Sequence, residues 1–380
     1  MCNTLKQAKQ PDFRIRGRNL KKLKKAGIIL ALPVFLAFVS IVQASGRTYL
    51  NKTIDELKTY VDDSNLNVKS EDSEYLVMEG RYKELVSQKN ENLKKTALLQ
   101  NQIDRLNFTK GQHHIKREQI KLIEKHLLQT EYYNVCMLIK QSELAQSELE
   151  AAEKMVTEIE EKFRQGDATK LEVDDAISKR KQAKDRVDVL KYSIEQEENS
   201  LKIRLNENNA EQFTPKFTIP SEVEDNDHYT IESLKKNCTE GNLQLLQMNA
   251  YIGFHNTLIE NLKSCAGEND ASYQLALSER SKMQVEADIL KQKIQQYAEK
   301  QFNNLKSCRL NYNTSVLRKP ILIQKLDKLK IKYSEGIISE AEYLSSKNQV
   351  LKELLDADNA VVALINALSL ADLVNNGIMQ

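Results

Sequence analysis

The chain has 380 residues, of which 29% are charged, with only 11 glycines, 5 prolines and no tryptophan. So few breakers among so many Lys, Glu, Gln, Leu and Ala residues exclude a sheet protein and predict long helices burying a thin seam, with no thick core to hold a catalytic cleft. The formal net charge is +2, yet residues 1–25 carry nine Lys or Arg against the single acid Asp12, so everything after them sums to −6; a mildly acidic body has no basic face for nucleic acid, and no nucleic-acid motif is present.

The basic segment is followed by an uncharged run, residues 26–46, with its apolar heart at 28–42. A basic flank of this kind holds the N-terminus in the cytoplasm and sends everything beyond Gly46 outward. Val42 and Ala44 supply the small residues at −3 and −1 that a signal peptidase accepts. At ~1.5 Å per residue the run is also long enough to remain as a membrane anchor, so both outcomes stay open.

Residues 50–111 read as broken helical stretches, interrupted near 62–72 and at Gly111. From about His114 the pattern becomes continuous. Val135, Leu138, Ser142, Ala145, Leu149, Ala152, Val156, Ile159 and Phe163 alternate in steps of 3 and 4, a heptad seam that runs into Gly166. The seam resumes at Val173, Ala176, Arg180, Ala183, Val187, Leu190, Ile194, Glu197 and Leu201. Two seams parted by so short a break fold back as an antiparallel hairpin, with arms of about 75 and 60 Å.

Residues 208–229, with Pro215, Pro220 and an acidic cluster, read as an extended linker. Helical signal returns at 230–264, lapses around 265–271 and continues to Val316; Pro320 predicts a kink in a seam that Leu322, Leu326, Leu329 and Tyr333 carry on. After Gly336 a last arm bears Val350, Leu354, Ala357, Val361, Leu364, Leu368 and Ala371, and Gly377 closes it. The expectation is an all-α protein of two tandem antiparallel coiled-coil hairpins, divided as 1–46 (leader), 47–208 (first helical repeat), 209–229 (linker) and 230–380 (second repeat).

The two turns carry the most information. The first, residues 163–173, reads FRQGDATKLEV; the second, residues 333–343, reads YSEGIISEAEY. Shifted by 170 residues, Phe163 falls on Tyr333, Gly166 on Gly336, Thr169 on Ser339 and Glu172 on Glu342, an internal repeat. Each glycine suits the left-handed position that ends a helix. Each hydroxyl, with a Glu three residues on, writes a capping box for the helix that follows.

Other residues offer no chemistry. Cys2, Cys136, Cys238, Cys265 and Cys308 form neither a CxxC pair nor a disulfide or zinc framework; Cys136 and Cys308 fall in apolar helical patterns, where a small buried residue is the better reading. His113 and His114 are adjacent and project in different directions on a helix, which argues against a metal site. With no nucleophile–base set and no phosphate loop, no enzyme activity, cofactor or metal is expected.

The stretch from Glu131 to Val135, then Gly166 with Thr169, Glu172 and Ala176, and a seam ending near Asn206, resembles the first half of a TolC-like outer-membrane efflux protein. Residues 231–250, with Leu234, Asn242 and Leu243, resemble the opening helix of that family's second half, and residues 333–344 its second tip. The resemblance covers most of residues 115–377 and rests on the doubled architecture more than on any one motif. It implies a homotrimer whose paired hairpins form a twelve-helix tube, with the tips as its entrance. It also implies a membrane-fusion adaptor at those tips and, through it, an ABC or other energised inner-membrane transporter.

The same resemblance places Phe163, Gly166, Thr169, Glu172, Asp175, Tyr333, Gly336, Ser339 and Glu342 at the aperture and docking surface. Asp175 lies where an acidic ring lines the aperture, and Ser345 takes the matching place in the second copy without the acid. Ile338 stands where relatives carry a base, so the salt bridge that latches such apertures is not expected. The chain also departs from the family in its barrel. A membrane strand needs ~9–11 residues with alternating apolar faces, and the candidate places, 62–78 and 265–277, are short and polar. These observations point to an extracytoplasmic efflux or secretion conduit without a β-barrel, suited to an envelope lacking an outer membrane. A membrane-anchored coiled-coil scaffold or adaptor without a pore is the alternative.

Overall fold

The structure, a computed structural model, describes residues 52–88, 92–206, 215–225 and 228–380. The leader, with its two possible fates, lies outside the described residues. The described residues are mostly helical, and no strand occurs among them. The first repeat contains α1 (Ile54–Ser64), α2 (Leu66–Ser87), α3 (Leu93–Gly111), α4 (His113–Gln165) and α5 (Lys170–Arg204); the second contains α6 (Ile231–Gly241), α7 (Leu243–Ala266), α8 (Ala271–Ser334) and α9 (Glu340–Asn375).

α4 and α5 form one antiparallel hairpin, α8 and α9 the other, and α4 packs on α9. The order across this layer is therefore α5–α4–α9–α8. Beyond the hairpins the chain builds a second group of helices, in which α2 lies along α3 and α4, α3 against α7, and α6 and α7 against α8. α8 alone, with 64 residues, is about 96 Å long.

Two expectations are corrected here. The break near 62–72 narrows to the single residue Asn65, extended at φ −61° and ψ 131°, and residues 66–87 are one helix. The region 62–78 is therefore not where strands would be inserted; the chain reverses after Ser87, before α3 begins at Leu93. The second candidate place stands, since α7 ends at Ala266 and α8 begins at Ala271. Pro320 does not interrupt α8, which runs on to Ser334. Its ring costs one backbone bond, a local loss that the surrounding seam through buried Leu322 outweighs.

The two halves repeat a further device. Thr53 and Thr230 each make a capping box, and eleven residues of helix follow each. Asn65 and Asn242 then interrupt the chain for one residue, and each caps the next helix through its own side chain. α1 and α6 pack where the hairpin arms and the linker meet, at the equator of the molecule. Leu57, Val61, Leu128, Tyr132, Val135, Leu201 and Leu205 are buried there on the first side, and Leu234, Ile294, Ala298, Leu305, Leu364 and Ala371 on the second. The C-terminal turn closes the core: Gly377, at φ +81°, crosses Gly241 so tightly that a Cβ would lie 2.1 Å from the Gly241 carbonyl carbon.

α9 is the one described helix long and apolar enough to cross a membrane. Val361, Leu364, Ala367, Ala371 and Val374 on it are buried in the protein core, so one face of α9 serves packing. Cys136 and Cys238 are buried too, and burial pushes their thiols up to about 12 and about 11, which makes them inert packing residues. Cys308 is only half-buried.

Candidate functional site

From the equator towards the tips the seam thins. Ala145, Leu149, Val156, Val173, Ala176, Val187 and Leu190 are buried, but Arg180, in step with the heptad, is exposed, and Phe163 at the seam's end is 44% exposed. The reason is geometric: the end of the first hairpin is two helices with nothing laid over them, and a pair can bury only its narrow facing stripe. The tips are consequently stabilised by what the local chain supplies.

That supply is the same at both. Gly166 has φ +86° and Gly336 φ +72°. The Gly166 N–H donates to the Phe163 carbonyl (3.1 Å) and the Asp167 N–H to that of Lys162 (2.8 Å). The Gly336 N–H donates to Tyr333 (3.0 Å) and the Ile337 N–H to Lys332 (2.9 Å). Both are Schellman motifs, which satisfy carbonyls otherwise left without donors. On the descending side, the Thr169 N–H donates to Glu172 Oε2 (2.6 Å) and the Glu172 N–H to Thr169 Oγ1 (3.3 Å). Ser339 and Glu342 repeat the exchange at 3.1 and 3.2 Å. The hydrogen bond from the Thr169 backbone holds the Glu172 carboxyl below its ordinary range.

The partners of the remaining tip residues differ. Asp175 is exposed and pairs with Lys179 one turn on (2.7 Å), while Ser345 is exposed. Tyr333 stacks on Tyr343, ring centroids 4.7 Å apart and nearly parallel, bracing the second turn. Where Phe163 and Val173 stand in the first copy, no such stack is possible.

The tips share one end of the molecule at different heights. Lys154 Nζ lies 3.1 Å from Glu340 Oε1 and Lys347 Nζ 4.0 Å from Glu150 Oε2, while Asn348 Nδ2 donates to the Ser147 carbonyl (3.3 Å). These contacts set the start of α9 against Lys154, well before Gly166 on α4. At 1.5 Å per residue Gly166 lies about 18 Å beyond Lys154 and Gly336 about 6 Å beyond Glu340, so the first hairpin overshoots the second by roughly 12 Å. The overshooting segment is acidic: Glu158, Glu160, Glu161, Asp167 and Glu172 are exposed beside Lys162 and Arg164. Glu340, next to the second cap, raises the pKa of Lys154 and links the two hairpins of one chain.

A polar cluster at the equator has no local motif in the sequence. Arg204 on α5 donates through Nη1 to Glu124 (2.6 Å) and through Nε to Glu131 (2.8 Å), both on α4. Asn65 and Asn67 Nδ2 donate to the same Glu124 carboxylate, at 2.9 and 2.7 Å. Glu124 and Asn65 are buried. Beside the cluster the Tyr132 hydroxyl donates to the Lys216 carbonyl and accepts from the Thr218 N–H, tying the linker to α4. The matching spacings, Thr53 to Asn65 and Thr230 to Asn242, were available as a signal. Among the described residues, no three His, Cys, Asp or Glu side chains gather as metal ligands; His113 instead meets Glu71 through Nδ1 (3.1 Å).

No family model matches the sequence, and no curated protein sequence matches it. Solved structures do resemble it. The open state of the MtrE outer membrane channel of Neisseria gonorrhoeae superposes with a TM-score of 0.63 at 12% identity, over 87% of this chain and 90% of that one. CusC, described with the conformational changes of its folding and transmembrane channel formation, gives 0.62 at 12% identity, over 88% and 95%. The CmeC outer membrane channel of Campylobacter jejuni gives 0.57 at 12% identity, over 93% and 94%. The chain has the TolC-like fold of these channels, here all-α over the described residues.

Proposed function

We propose that the chain is a subunit of an extracytoplasmic conduit for efflux or type I secretion, in which copies close into a helical tube and cargo passes without energy from this protein. The observation that carries the reading is the pair of free edges on the four-helix layer. α5 packs on α4 at one edge, and α8 packs on α9 at the other. Each turns large apolar side chains outward: Val189, Tyr192 and Ile203 on α5 are 62%, 71% and 74% exposed, and Leu310, Leu317 and Ile321 on α8 are 62%, 75% and 64% exposed. Two different edges make a head-to-tail contact, which forms a ring when the rotation between copies closes and an open filament when it does not. The contacts between hairpins place Tyr192 and Ile321 at about the same height.

The TolC-like fold supports three copies per ring, an adaptor at the tips and an ABC or other energised transporter behind it. The tip residues Phe163, Gly166, Thr169, Glu172, Asp175, Tyr333, Gly336, Ser339 and Glu342 form the docking and aperture surface in this reading. The basic N-terminus stays in the cytoplasm and the helical body stands in the cell envelope. The short connections between α2 and α3 and between α7 and α8, where a barrel would be inserted, favour an envelope lacking an outer membrane.

The test is disulfide formation between Tyr192→Cys and Ile321→Cys in full-length protein with Cys265 and Cys308 replaced by Ser. A crosslinked ladder ending at three chains, with a matching native mass, is expected. A monomer or dimer lacking the crosslink replaces this reading with the anchored scaffold.

A further inference from the structure

The helical body takes up the chain at its equator, not at either end. α1 runs antiparallel to α4: Lys58 Nζ donates to Gln129 Oε1 (2.7 Å), Lys125 Nζ pairs with Asp62 Oδ2 (2.9 Å), and Asn65 Nδ2 donates to Glu124 (2.9 Å). This register sets Lys52, just ahead of α1, level with about residue 135 of α4. Lys52 is held there from two sides. Its carbonyl accepts from the Lys216 N–H (3.0 Å), and Ile54, Leu57 and Val61 beyond it are buried in the equatorial core.

Both ends of the body are far from that point. Gly166 lies about 46 Å further along α4, and Leu93, at the other end of the α3–α4 run, about 60 Å away. The chain that leads to Lys52 is short by comparison. A membrane span of ~20 residues that starts after Lys25 uses the uncharged run to its end at Gly46. The six residues from there to Lys52 reach at most about 20 Å. Counting from Val42, where the apolar heart ends, raises the reach only to about 35 Å.

A leader kept in the cytoplasmic membrane therefore holds the equator within about 35 Å of the bilayer face. A tube upright on its tips needs about 46 Å there, and more with an adaptor beneath it. Turned over, it needs about 60 Å. An anchored chain can lie along the membrane, but it cannot stand.

We infer that the leader is cut away by hydrolysis of the Ala44–Ser45 peptide bond on the outer side of the membrane. The agent is a signal peptidase, whose small-residue requirement at −3 and −1 is met by Val42 and Ala44. Water supplies the hydroxyl of the new Ala44 carboxyl and the proton of the new Ser45 amine. The inference rests on the upright-tube reading, since a scaffold lying along the membrane works with its leader uncut.

The experiment determines the N-terminus and intact mass of the chain, expressed with its leader and recovered from the cell envelope. A chain that begins at Ser45 and lacks the mass of residues 1–44 is expected. Ala44→Phe, too large for the −1 position, is expected to keep residues 1–44 and to fractionate with the cytoplasmic membrane. Combined with Tyr192→Cys and Ile321→Cys, it is expected to form the three-chain crosslink in membranes at least tenfold less than the cut chain. Circular dichroism should give both chains the same helicity, because Ala44 precedes the helical body. A parent that keeps residues 1–44 overturns the inference whatever its oligomeric state. An uncut Ala44→Phe chain that crosslinks like the parent overturns it as well, and leaves the tube standing. A cut parent that forms no three-chain crosslink supports the cleavage and rejects the tube.

Discussion

The tips and the equator solve the same problem, a long helix that must stop, by opposite means. At Gly166 and Gly336 every partner lies within six residues: a left-handed glycine, two back-donating N–H groups, and a hydroxyl–glutamate exchange. At Asn65 and Asn242 the break itself is one residue, but it is held from far away. Asn65 donates to Glu124, and Asn242 Nδ2 donates to the Gly377 carbonyl (3.1 Å). A turn made by its own residues can project into solvent and change its surroundings without unfolding. A break made by distant residues forms only when the whole core does, and it ties local geometry to global stability.

The comparison breaks most visibly at Arg204. Replacing it by Ala leaves Glu124 buried, and Glu131 half-buried, without their cation. Removing one member of such a buried network costs ~3–5 kcal/mol. Chemical denaturation of Arg204→Ala is expected to show that loss, with the tips untouched. A loss no larger than at an exposed surface pair would move the equator into the same class as the tips.

The two asparagines sharpen it. Asn65→Ala removes the cap that accepts from the Asn67 N–H (2.8 Å) and also one of the donors to buried Glu124; a lost cap and a lost hydrogen bond to a charged group together cost about 2–4 kcal/mol. Asn242→Ala removes the cap on Leu245 (3.0 Å) and a donor to a neutral carbonyl, for about 1–3 kcal/mol. Urea titration of the two variants is expected to rank them in that order. The reverse order would mean that the charge on Glu124 adds nothing.

The glycines come next. Nothing stands within 4 Å of a Cβ built on Gly166 or Gly336, so a substitution meets no neighbour and strains only the backbone. Gly166→Val and Gly336→Val are each expected to cost ~1 kcal/mol or more. Circular dichroism should show the arms still helical, because their seams lie elsewhere. Loss of most helicity in either variant would show that the turns organise the arms.

This division also explains what could be read from the chain. Gly166, Thr169 and Glu172, like Gly336, Ser339 and Glu342, were legible because their spacing encodes contacts among themselves. Asn65 was not, because its partners Glu124 and Arg204 lie 59 and 139 residues away, and a lone Asn in an acidic stretch reads as a loop. For the same reason the first candidate place for inserted strands falls at 62–78 in the sequence and not after Ser87. Pro320 misled in the opposite sense, since a local rule gave way to the packing around Leu322. The overshoot of the first tip was not legible at all, for it depends on the register of α4 against α9, which pairs such as Lys154 with Glu340 set across the fold.

The smallest expected effect isolates the local chemistry of a tip. The carboxyl of Glu172 titrates below its ordinary value because it accepts from the Thr169 N–H in the folded state, and the Thr169 hydroxyl adds to that effect. A carboxyl depressed on folding stabilises the fold above its unfolded pKa, where both states are ionised. That contribution fades as pH falls through the depressed folded value, where the native carboxylate is protonated and the exchange with Thr169 weakens. The parent is therefore expected to lose slightly more stability than Glu172→Gln between neutral and acid pH. The Gln variant keeps an acceptor for the same N–H but has no charge to lose. Thermal unfolding of both proteins across that range measures the difference, and the Glu172 resonance followed by NMR locates the titration. Parallel pH profiles, or a carboxyl titrating at its ordinary value, would mean that the box is open in solution. Thr169 alone would then cap α5, and the tip would be held by its glycine more than by its glutamate.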